Sequence, residues 1–454
     1  MLVTSQPALW EKFLADHPAV EFVWLQTLAY NGLPHVLILP VARFTDLVQK
    51  GEPVPFVKAG LHLEPFDRMP RGVTPGGVCY LHPDISTAYC KPAPRSHHAV
   101  VMVSCLGADG APIGECARSR LATLTDTLAH ETGFSPLVGF EVEVVYMRRY
   151  RRAHLDDPRE SVDYEALDGA HSVFSMTAND HAHLDMLEET VRALLGAGIA
   201  LEKFHAEAAP GQWEFVLPPA APVPAVDALL RARSIITDIA EKHSLRATMC
   251  PRPLGRDPCS GMHVHLSMNA AAVGEPRGLE ETEAFFAGIL DHLPAVMAFS
   301  LAQDMSYRRV TSGLCSGGEF VCWGWQNKEV ALRRIATNRF EVKLLDGLAN
   351  PYLALCGMLA AGLDGMRRAL PLTAGSCPFA TDKMLSEELR ALGITRLLPR
   401  SLPASLEALA LDKVLYELVG ASIAEPYISM KWAEIEVFNR MEADERRKYL
   451  IERY

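Results

Sequence analysis

The stretch Pro258-Cys259-Ser260-Gly261-Met262-His263-Val264-His265-Leu266-Ser267 alternates polar and apolar side chains over its second half. Successive side chains of a β-strand point to opposite faces, so His263, His265 and Ser267 share one face while Val264 and Leu266 share the other. Two histidines spaced in this way are more often a structural hydrogen-bonded pair than a ligand site. Three further segments repeat the alternation with carboxylates, and together they predict a polar site on one face of a sheet.

Two of these segments carry pairs of glutamates. In residues 139–146, Glu141 and Glu143 share a face, which alone fits an exposed sheet surface. In residues 204–215, Pro210-Gly211 predicts a turn between two extended runs, and this turn brings Glu207 and Glu214 within reach of one ion. Like charges held side by side are costly unless a cation compensates them.

The last segment, residues 339–344, alternates the charged Arg339, Glu341 and Lys343 with apolar side chains. With it, five glutamates and His263 form an oxygen-rich ligand set that suits Mg²⁺ or Mn²⁺ better than zinc. Two such ions with arginines nearby are suited to neutralising nucleotide phosphates and a transferring phosphoryl group. No glycine-rich phosphate loop of the P-loop or dinucleotide type follows a strand, so the pattern predicts phosphoryl chemistry at a different kind of nucleotide site.

These segments, in this order and spacing, resemble the catalytic domain of glutamine synthetase. The family's Ser-Gly-x-His-x-His-x-Ser element matches residues 260–267, and its paired-glutamate strand is similar to residues 139–143. Its Glu…Gly-Gln-x-Glu element is similar to residues 207–214. Further matches are 306–309, 327–335 and 339–353. The resemblance runs from about residue 20 to the C-terminus and is weaker before residue 110.

The resemblance implies a role for each matched residue. One ion would be held by Glu143, Glu207 and Glu214, and the other by Glu141, His263 and Glu341. The nucleotide would lie near His265, Ser267, Arg333 and Arg339. Arg309 would hold the carboxylate of an amino-acid substrate, while Lys328 and Lys343, which replace family arginines, would face the phosphoryl group and the reacting carboxylate. In the family, ATP phosphorylates a carboxylate and an amine then displaces the phosphate.

Departures from the family pattern concern the substrates. The family's Asn-Gly before Ser-Gly is Pro258-Cys259 here, and its flap glutamate is Cys315, with Glu319 nearby but out of register. The loop 69–77, which should approach the ammonium pocket, contains no carboxylate. We therefore expect an ATP-dependent ligase that forms an amide, such as a γ-glutamyl amide, from an organic amine in preference to ammonia. The alternatives are an ordinary glutamine synthetase and an inactive scaffold of the same fold.

Composition sets further limits. The net charge of −11 argues against a nucleic-acid or membrane-surface partner, and the run 146–152 is interpreted as a solvated loop or subunit contact. The sequence contains no apolar run long enough to span a bilayer, and we expect a cytoplasmic protein. Ten cysteines without a Cys-x-x-Cys pair predict reduced core residues. The expected partners are small acids and amines, and other copies of the chain in stacked rings with active sites between subunits.

The predicted fold is α+β, with strands that furnish the site and helices that cover them. The 454 residues exceed the ~250–300 at which a single core stops growing, so we expect more than one domain or one large one. A small N-terminal β-grasp-like domain, residues 1–110, contains a hairpin around Tyr30-Asn31-Gly32. The catalytic domain, residues 111–454, has an antiparallel sheet that lines the site, covered by helices. Asp180 predicts a helix start leading to Gly198, and Asn350-Pro351 predicts another over 352–368. The remaining predicted helices are 222–244, 281–301, 383–393, 403–419 and 427–440.

Overall fold

A computed structural model describes residues 5–152, 161–167, 172–255, 258–270 and 279–454. The strands are β1 (Phe22–Leu28), β2 (Pro34–Pro40), β3 (Val54–Val57), β4 (Val78–Cys90), β5 (His98–Leu106), β6 (Phe134–Arg152), β7 (Ser161–Ala166), β8 (Lys203–Ala206), β9 (Gln212–Val216), β10 (Leu245–Thr248), β11 (Val264–Ala270), β12 (Trp323–Trp325), β13 (Leu332–Ala336) and β14 (Arg339–Val342).

The helices are α1 (Gln6–Asp16), α2 (Val41–Lys50), α3 (Ala117–Thr132), α4 (Ala178–His181), α5 (Leu184–Gly196), α6 (Pro222–Lys242), α7 (Glu283–Ser300), α8 (Asp304–Tyr307), α9 (Pro351–Arg367), α10 (Ser386–Ala391), α11 (Leu402–Leu411), α12 (Lys413–Val419), α13 (Ala421–Phe438) and α14 (Ala443–Arg453). The described residues therefore form the expected mixture of helices and sheets.

The first sheet has the order β2-β1-β5-β4-β3 and lies in the N-terminal part of the chain. Its strands β1 and β2 form the expected hairpin, whereas β1 and β5 run parallel. Helices α1 and α2 contribute Trp10 and Phe44 to a small core beneath this sheet. The N-terminal part is thus β-rich, as predicted, and the domain boundary near residue 110 stays a prediction.

The second sheet carries the polar site. Its order is β12-β13-β14-β11-β6-β9-β8, with β7 and β10 also paired to β6, and only β12 and β13 are parallel. The register places Glu143 opposite Glu214, His205 opposite Glu214, and His265 opposite Glu341. The four polar segments of the sequence therefore lie side by side on neighbouring strands.

A large core of helices covers this sheet and holds its strands in place. Helices α7 and α9 are buried along most of their length. Helix α9 begins as predicted, because the Asn350 side chain accepts hydrogen bonds from the backbone N–H groups of Tyr352 and Leu353 and Pro351 takes the first helical position. The alternating burial of β11 turns Val264 and Leu266 into the core and leaves His265 and Ser267 half-buried on the site face.

Several predicted boundaries require correction. Asp180 does not cap the helix that ends near Gly198: Thr177 caps the short α4, Asp180 completes its capping box, and α5 begins separately at Leu184. The predicted helix 403–419 is two helices, because Asp412 interrupts it and its side chain accepts from the N–H of Leu415.

Two other predictions differ in extent. The helix predicted over 383–393 shortens to Ser386–Ala391, and the run 146–152 continues β6 rather than forming a loop. Over the described part of the chain, no helix has both the length and the apolar composition to cross a membrane. The cytoplasmic location stays a prediction.

Candidate active site

One group of ligand-type side chains lies where β6, β11 and β14 are adjacent. Ligand atoms of Glu141, His263 and Glu341 all lie within 4.8 Å of one another. His263 Nδ1 is 3.2 Å from a carboxylate oxygen of Glu141 and 3.6 Å from one of Glu341. We call these three residues the histidine-263 cluster. They are the three residues predicted to share one ion.

A second group lies on the β8–β9 hairpin. His205, Glu207 and Glu214 also have ligand atoms within 4.8 Å of one another, and His205 Nε2 is 3.1 Å from a Glu214 oxygen. The predicted Pro210-Gly211 turn joins the two strands. Gly211 has φ +73°, and a Cβ there would lie 2.6 Å from the Tyr146 carbonyl oxygen, so the turn requires glycine. We call these residues the histidine-205 cluster.

Glu143 lies between the two clusters. One oxygen of Glu143 is 3.5 Å from His263 Nδ1, while the other accepts from the Gln212 side chain and the Gly261 N–H, each at 2.7 Å. A Cβ on Gly261 would lie 2.7 Å from the Arg309 guanidinium, which explains why glycine precedes the two histidines. The structure thus brings all six predicted ion ligands together and adds His205.

The carboxylates differ in electrostatic environment. Burial raises the pKa of Glu143, and the charge of Glu214 raises it further. Burial and the charges of Glu143 and Glu214 raise the pKa of Glu207. Burial would raise the pKa of Glu341, but Lys343 and His263 lower it to about 2. Burial is likewise outweighed at Glu141, whose pKa is lowered by hydrogen bonds to His263 and His265.

Cationic side chains surround the histidine-263 cluster. Lys343 Nζ and Arg333 Nη1 donate to Glu341 at 2.8 and 2.9 Å. Arg309 is almost fully buried, with one Nη 3.3 Å from His263 Nε2 and the other donating to the Lys343 carbonyl. The described contacts leave Arg309 Nε without a partner. A buried guanidinium with spare donors can bind a carboxylate or phosphate in bidentate fashion.

These residues open into one cavity of about 660 Å³, which we call the central cavity. Both clusters, Glu143, Arg309, Arg333 and Lys343 line it, and so do Lys328 and Cys315. A smaller side cavity of about 210 Å³ is lined by His265, Ser267 and Arg339. Glu141 and Lys203 line both cavities. Of the four residues predicted near the nucleotide, three therefore lie at the side cavity and Arg333 lies at the central one.

The donor set fits divalent cations. Each cluster offers two carboxylates and one imidazole, and Glu143 adds a buried carboxylate between them. Hard cations such as Mg²⁺ and Mn²⁺ prefer such oxygen-rich sets. The carboxylates of Glu143, Glu207 and Glu214 repel one another and lie beside two imidazoles, those of His205 and His263, so a divalent cation would relieve their repulsion.

The family model for the glutamine synthetase catalytic domain matches residues 114–449. The chain belongs to the glutamine synthetase family. Members of this family are ATP-dependent ligases that use divalent metal ions. The chain is 39% identical to the protein fluG of Emericella nidulans over 99% of its own length, and it spans about half the length of that protein (50%).

Two other relatives match most of both chains. A glutamine synthetase of Methanocaldococcus jannaschii is 32% identical, covering 82% of each chain. The gamma-glutamylpolyamine synthetase GlnA3 of Streptomyces coelicolor is also 32% identical, covering 80% of this chain and 78% of its own. Among solved structures, an ADP complex of GmaS superposes with a TM-score of 0.79 at 22% identity, covering 96% of this chain and 98% of that one. That likeness supports the fold.

The site differs from the glutamine synthetase pattern on one side of the central cavity. Pro258, Cys259 and Cys315 line it where the pattern has Asn, Gly and the flap glutamate. Glu319 does not take the place of the lost flap glutamate, because it pairs with Arg400 at 2.9 Å and is not among the described residues that line the cavity. The loop 69–77 contacts α13 through the Arg71 carbonyl and lines a different cavity of the same chain.

Three residues of this glutamine synthetase homologue were not identified from sequence. Lys203 and His205 line the central cavity, and together with Glu207 they follow the same alternation that identified His263 and His265. Glu329 replaces a family serine, and its carboxylate accepts from the backbone N–H groups of Gly313 and Cys315 at 2.8 and 2.7 Å. No sequence signal pairs Glu329 with a loop 14 residues earlier.

Proposed function

We propose that this protein is an ATP-dependent carboxylate–amine ligase that forms an amide, with a γ-glutamyl amide as the expected product and an organic amine favoured over ammonia. The observation that carries the proposal is the convergence of both clusters, Glu143 and Arg309 on the central cavity. Family membership supplies the reaction class.

Two Mg²⁺ or Mn²⁺ ions are assigned to the clusters. Glu143, Glu207 and Glu214 would hold one ion, with His205 beside it, and Glu141, His263 and Glu341 the other. When bound, such ions neutralise phosphate charge and so favour attack on phosphorus by an anionic carboxylate. The raised pKa values of Glu143 and Glu207 support an ion there, since burial and neighbouring carboxylates raise them despite the nearby His263 and His205.

The nucleotide is assigned to the side cavity and its border with the central one. His265, Ser267 and Arg339 line the side cavity, Arg333 lines the central one, and Glu141 lines both, so a path from the side cavity to the clusters would pass these residues. Phosphates entering along this path would meet Arg333 and Arg339. The overall likeness to the ADP-bound GmaS structure is consistent with a nucleotide ligand.

The acid is assigned to Arg309. Its guanidinium is buried and positioned by the Lys343 carbonyl, so it can pair with the α-carboxylate of an amino acid. Lys343 and Lys328 lie on the same cavity and would balance charge on the reacting carboxylate and the transferring phosphoryl group. A lysine supplies a point charge where the family has a planar fork, so the orientation of the acid would differ from that in the family.

The part of the central cavity around Cys315 favours an organic amine over ammonia as the second substrate. Ammonium must be held by negative charge and must lose a proton before it attacks, and Cys315 supplies no carboxylate for either task. The pKa of the Cys315 thiol is raised by burial and by Glu329, so this thiol is a poor base substitute at neutral pH. A relative named as a gamma-glutamylpolyamine synthetase is consistent with amine use in the family.

We also propose that the chain assembles into rings in which the loop 69–77 of one subunit approaches the central cavity of the next. The position of this loop against α13 of its own chain, away from the central cavity, is consistent with that arrangement. The N-terminal domain would then comprise residues 1–110 and the catalytic domain residues 111–454.

The test is ADP release by the purified protein with Mg²⁺ or Mn²⁺ across a panel of acids crossed with amines, with the product mass measured. Amide and ADP from glutamate and an organic amine support the proposal. Glutamine from ammonia at equal or higher efficiency indicates an ordinary glutamine synthetase. Failure to bind Mn²⁺ or ATP at all indicates the inactive scaffold.

A further inference from the structure

Three large apolar side chains are exposed at the central cavity instead of being buried. Val173, Phe174 and Leu314 line it and are 40%, 66% and 40% exposed. They come from two loops far apart in sequence, and we call them the apolar rim. Large apolar side chains that stay exposed around one cavity are characteristic of a ligand contact.

The backbone holds Phe174 in a strained conformation at the cavity. Its φ is +58°, in the left-handed region that disfavours an L residue with a large side chain. The N–H of Phe174 donates to the carbonyl of Ala206 at 3.1 Å, and its ring centroid lies 4.6 Å from that of His205. Such strain persists where surrounding contacts impose it, and it is concentrated at ligand-binding positions.

The opposite loop is held by a comparable arrangement. Cys315 has φ +54°, and Glu329 accepts from the N–H groups on both sides of Leu314, those of Gly313 and Cys315. This double hydrogen bond fixes the loop and keeps the Leu314 side chain at the cavity. Two loops that are distant in sequence thus each contain a residue in the left-handed conformation and each place an apolar side chain at the central cavity.

Two further residues that line the central cavity, Pro258 and Cys259, are also uncharged. The carboxylates among the described lining residues are those of the two clusters and Glu143. Glu329 lies beside the rim, but its two oxygens already accept from the Gly313 and Cys315 N–H groups, so a second ammonium group on a substrate would need an additional carboxylate. An apolar substrate body gains free energy by covering the rim, in proportion to the apolar area removed from water.

We propose that Phe174 and Leu314 form a subsite for the apolar body of a primary amine, of the arylalkyl or branched-alkyl class. This inference rests on the proposed function and names its second substrate. The amine nitrogen forms the new C–N bond to the acyl phosphate carbon. The bond between this carbon and the bridging oxygen breaks, phosphate leaves with that oxygen and the electron pair, and the nitrogen loses one proton to solvent.

The experiment compares kcat/KM for ammonia, putrescine, isobutylamine and 2-phenylethylamine in the intact protein and in Phe174→Ala, Phe174→Leu and Leu314→Ala. Leu411→Ala removes a leucine on α11 that is 78% exposed and is not among the described residues lining the central cavity, and it is the matched control. In the unmodified protein, we expect one of the two apolar amines to be preferred. Phe174→Ala and Leu314→Ala should each lower kcat/KM for it roughly tenfold through the KM for amine. Phe174→Leu should restore part of the loss, and the KM for ATP should not change.

Separate outcomes distinguish the two proposals. Amide formation with ammonia or putrescine preferred, or equal rates in Phe174→Ala and the control, would overturn the subsite while leaving the ligase intact. No amide with any amine would overturn both. Loss of the oligomer in the rim variants, measured by light scattering, would assign the rim to a subunit contact instead. Calorimetry of 2-phenylethylamine and putrescine on the unmodified protein with ADP and Mg²⁺ adds a measurement that depends on no variant, and tighter binding of putrescine would contradict the subsite.

Discussion

Arg309 is the residue whose environment most restricts what it can do. It is 2% exposed, its guanidinium lies 3.3 Å from His263, and its exposed neighbour Arg308 is not among the described residues that line the central cavity. A planar guanidinium in a buried position is suited to one carboxylate in one orientation, which a lysine ammonium does not reproduce. The identity of the acid therefore depends on this side chain more than on any exposed charge.

We expect Arg309→Lys to raise the KM for the acid at least about tenfold, because the substitution removes one charge-assisted hydrogen bond. The effect on the KM for ATP should be smaller. Arg308→Lys is the matched control, because it makes the same change one residue earlier on an exposed side chain. Initial rates of ADP release as a function of acid concentration measure both. Equal KM values in the two variants would remove Arg309 from the acid site.

The two ions can be tested separately at the residue scale. Glu143→Ala and His263→Ala should each lower activity by at least about a thousandfold while leaving a folded protein, because each removes a ligand assigned to a different ion. Calorimetric titration with Mn²⁺ should show one fewer site, or a much weaker one, in each variant. Glu165→Ala, on the exposed face of β7, is the control. Full turnover with unchanged metal stoichiometry in either variant would refute the assignment of two ions.

Sequence alternation identified most of these residues, because a half-buried strand places every second side chain on the site face. It predicted the positions of Glu141, His263 and Glu341, which the structure places in one cluster. The prediction omits His205, because in its segment the prediction depends on Glu207 and Glu214 alone. The sharing of Glu143 between clusters was not predictable, since it depends on the distance between strands rather than on spacing along one.

At the scale of elements, the loop 313–315 depends on one distant carboxylate. Glu329 accepts from two N–H groups of this loop, so Glu329→Gln, whose amide nitrogen cannot accept, should break one of the two hydrogen bonds. We expect a several-fold rise in the KM for amine with the KM for ATP unchanged. Glu319→Gln is the control, since Glu319 pairs with Arg400 outside the cavity. Steady-state kinetics with each substrate varied separately give the result, and an equal response of the two variants would contradict a positioning role for Glu329.

A junction of three helical elements should respond to pH. His292 on α7 lies between Asp364 on α9 and Asp412, which caps α12, at 3.0 and 2.6 Å, and Arg368 pairs with Asp364. Burial would lower the pKa of His292, but hydrogen bonds to the two aspartates raise it overall. Because the folded pKa exceeds the unfolded one of about 6.5, this stabilisation is complete below pH 6.5 and is lost as pH rises through the folded pKa.

We therefore predict that His292→Gln lowers the free energy of unfolding by about 2 kcal/mol at pH 6, the cost of breaking a buried charge-assisted pair. The difference from the unmodified protein should shrink as pH rises toward 9. Thermal melts across this range, with His82→Gln as an exposed control, provide the measurement. A difference in the free energy of unfolding that stays constant or grows as pH rises would contradict the prediction.

Element boundaries were less predictable than the site. The periodic leucines of 403–419 continue across Asp412, so hydrophobic spacing alone joins α11 and α12 into one helix. Helix α3 escaped prediction because Cys116 stands at its N-cap and makes no side-chain capping bond, so its start has no sequence signal. The hairpin of β8 and β9 was predicted correctly because its Pro-Gly turn is a local signal.

At the scale of the whole molecule, the second sheet brings four segments, spread over about 200 residues, to one cavity. Long-range strand pairing sets this arrangement, so each segment alone is compatible with an exposed surface and only their combination predicts a site. The family relation then supplies what spacing cannot, namely the order of phosphorylation and amide formation.

The central claim, amide formation through an acyl phosphate, is most directly tested by one measurement with glutamate labelled with ¹⁸O in its side-chain carboxylate. The protein is supplied with ATP, Mg²⁺ and the best amine, and ADP, phosphate and product are measured by mass spectrometry. We predict equal amounts of ADP, phosphate and amide, with one ¹⁸O atom transferred from the acid to each phosphate. Unlabelled phosphate, or ADP released without amide, would contradict it.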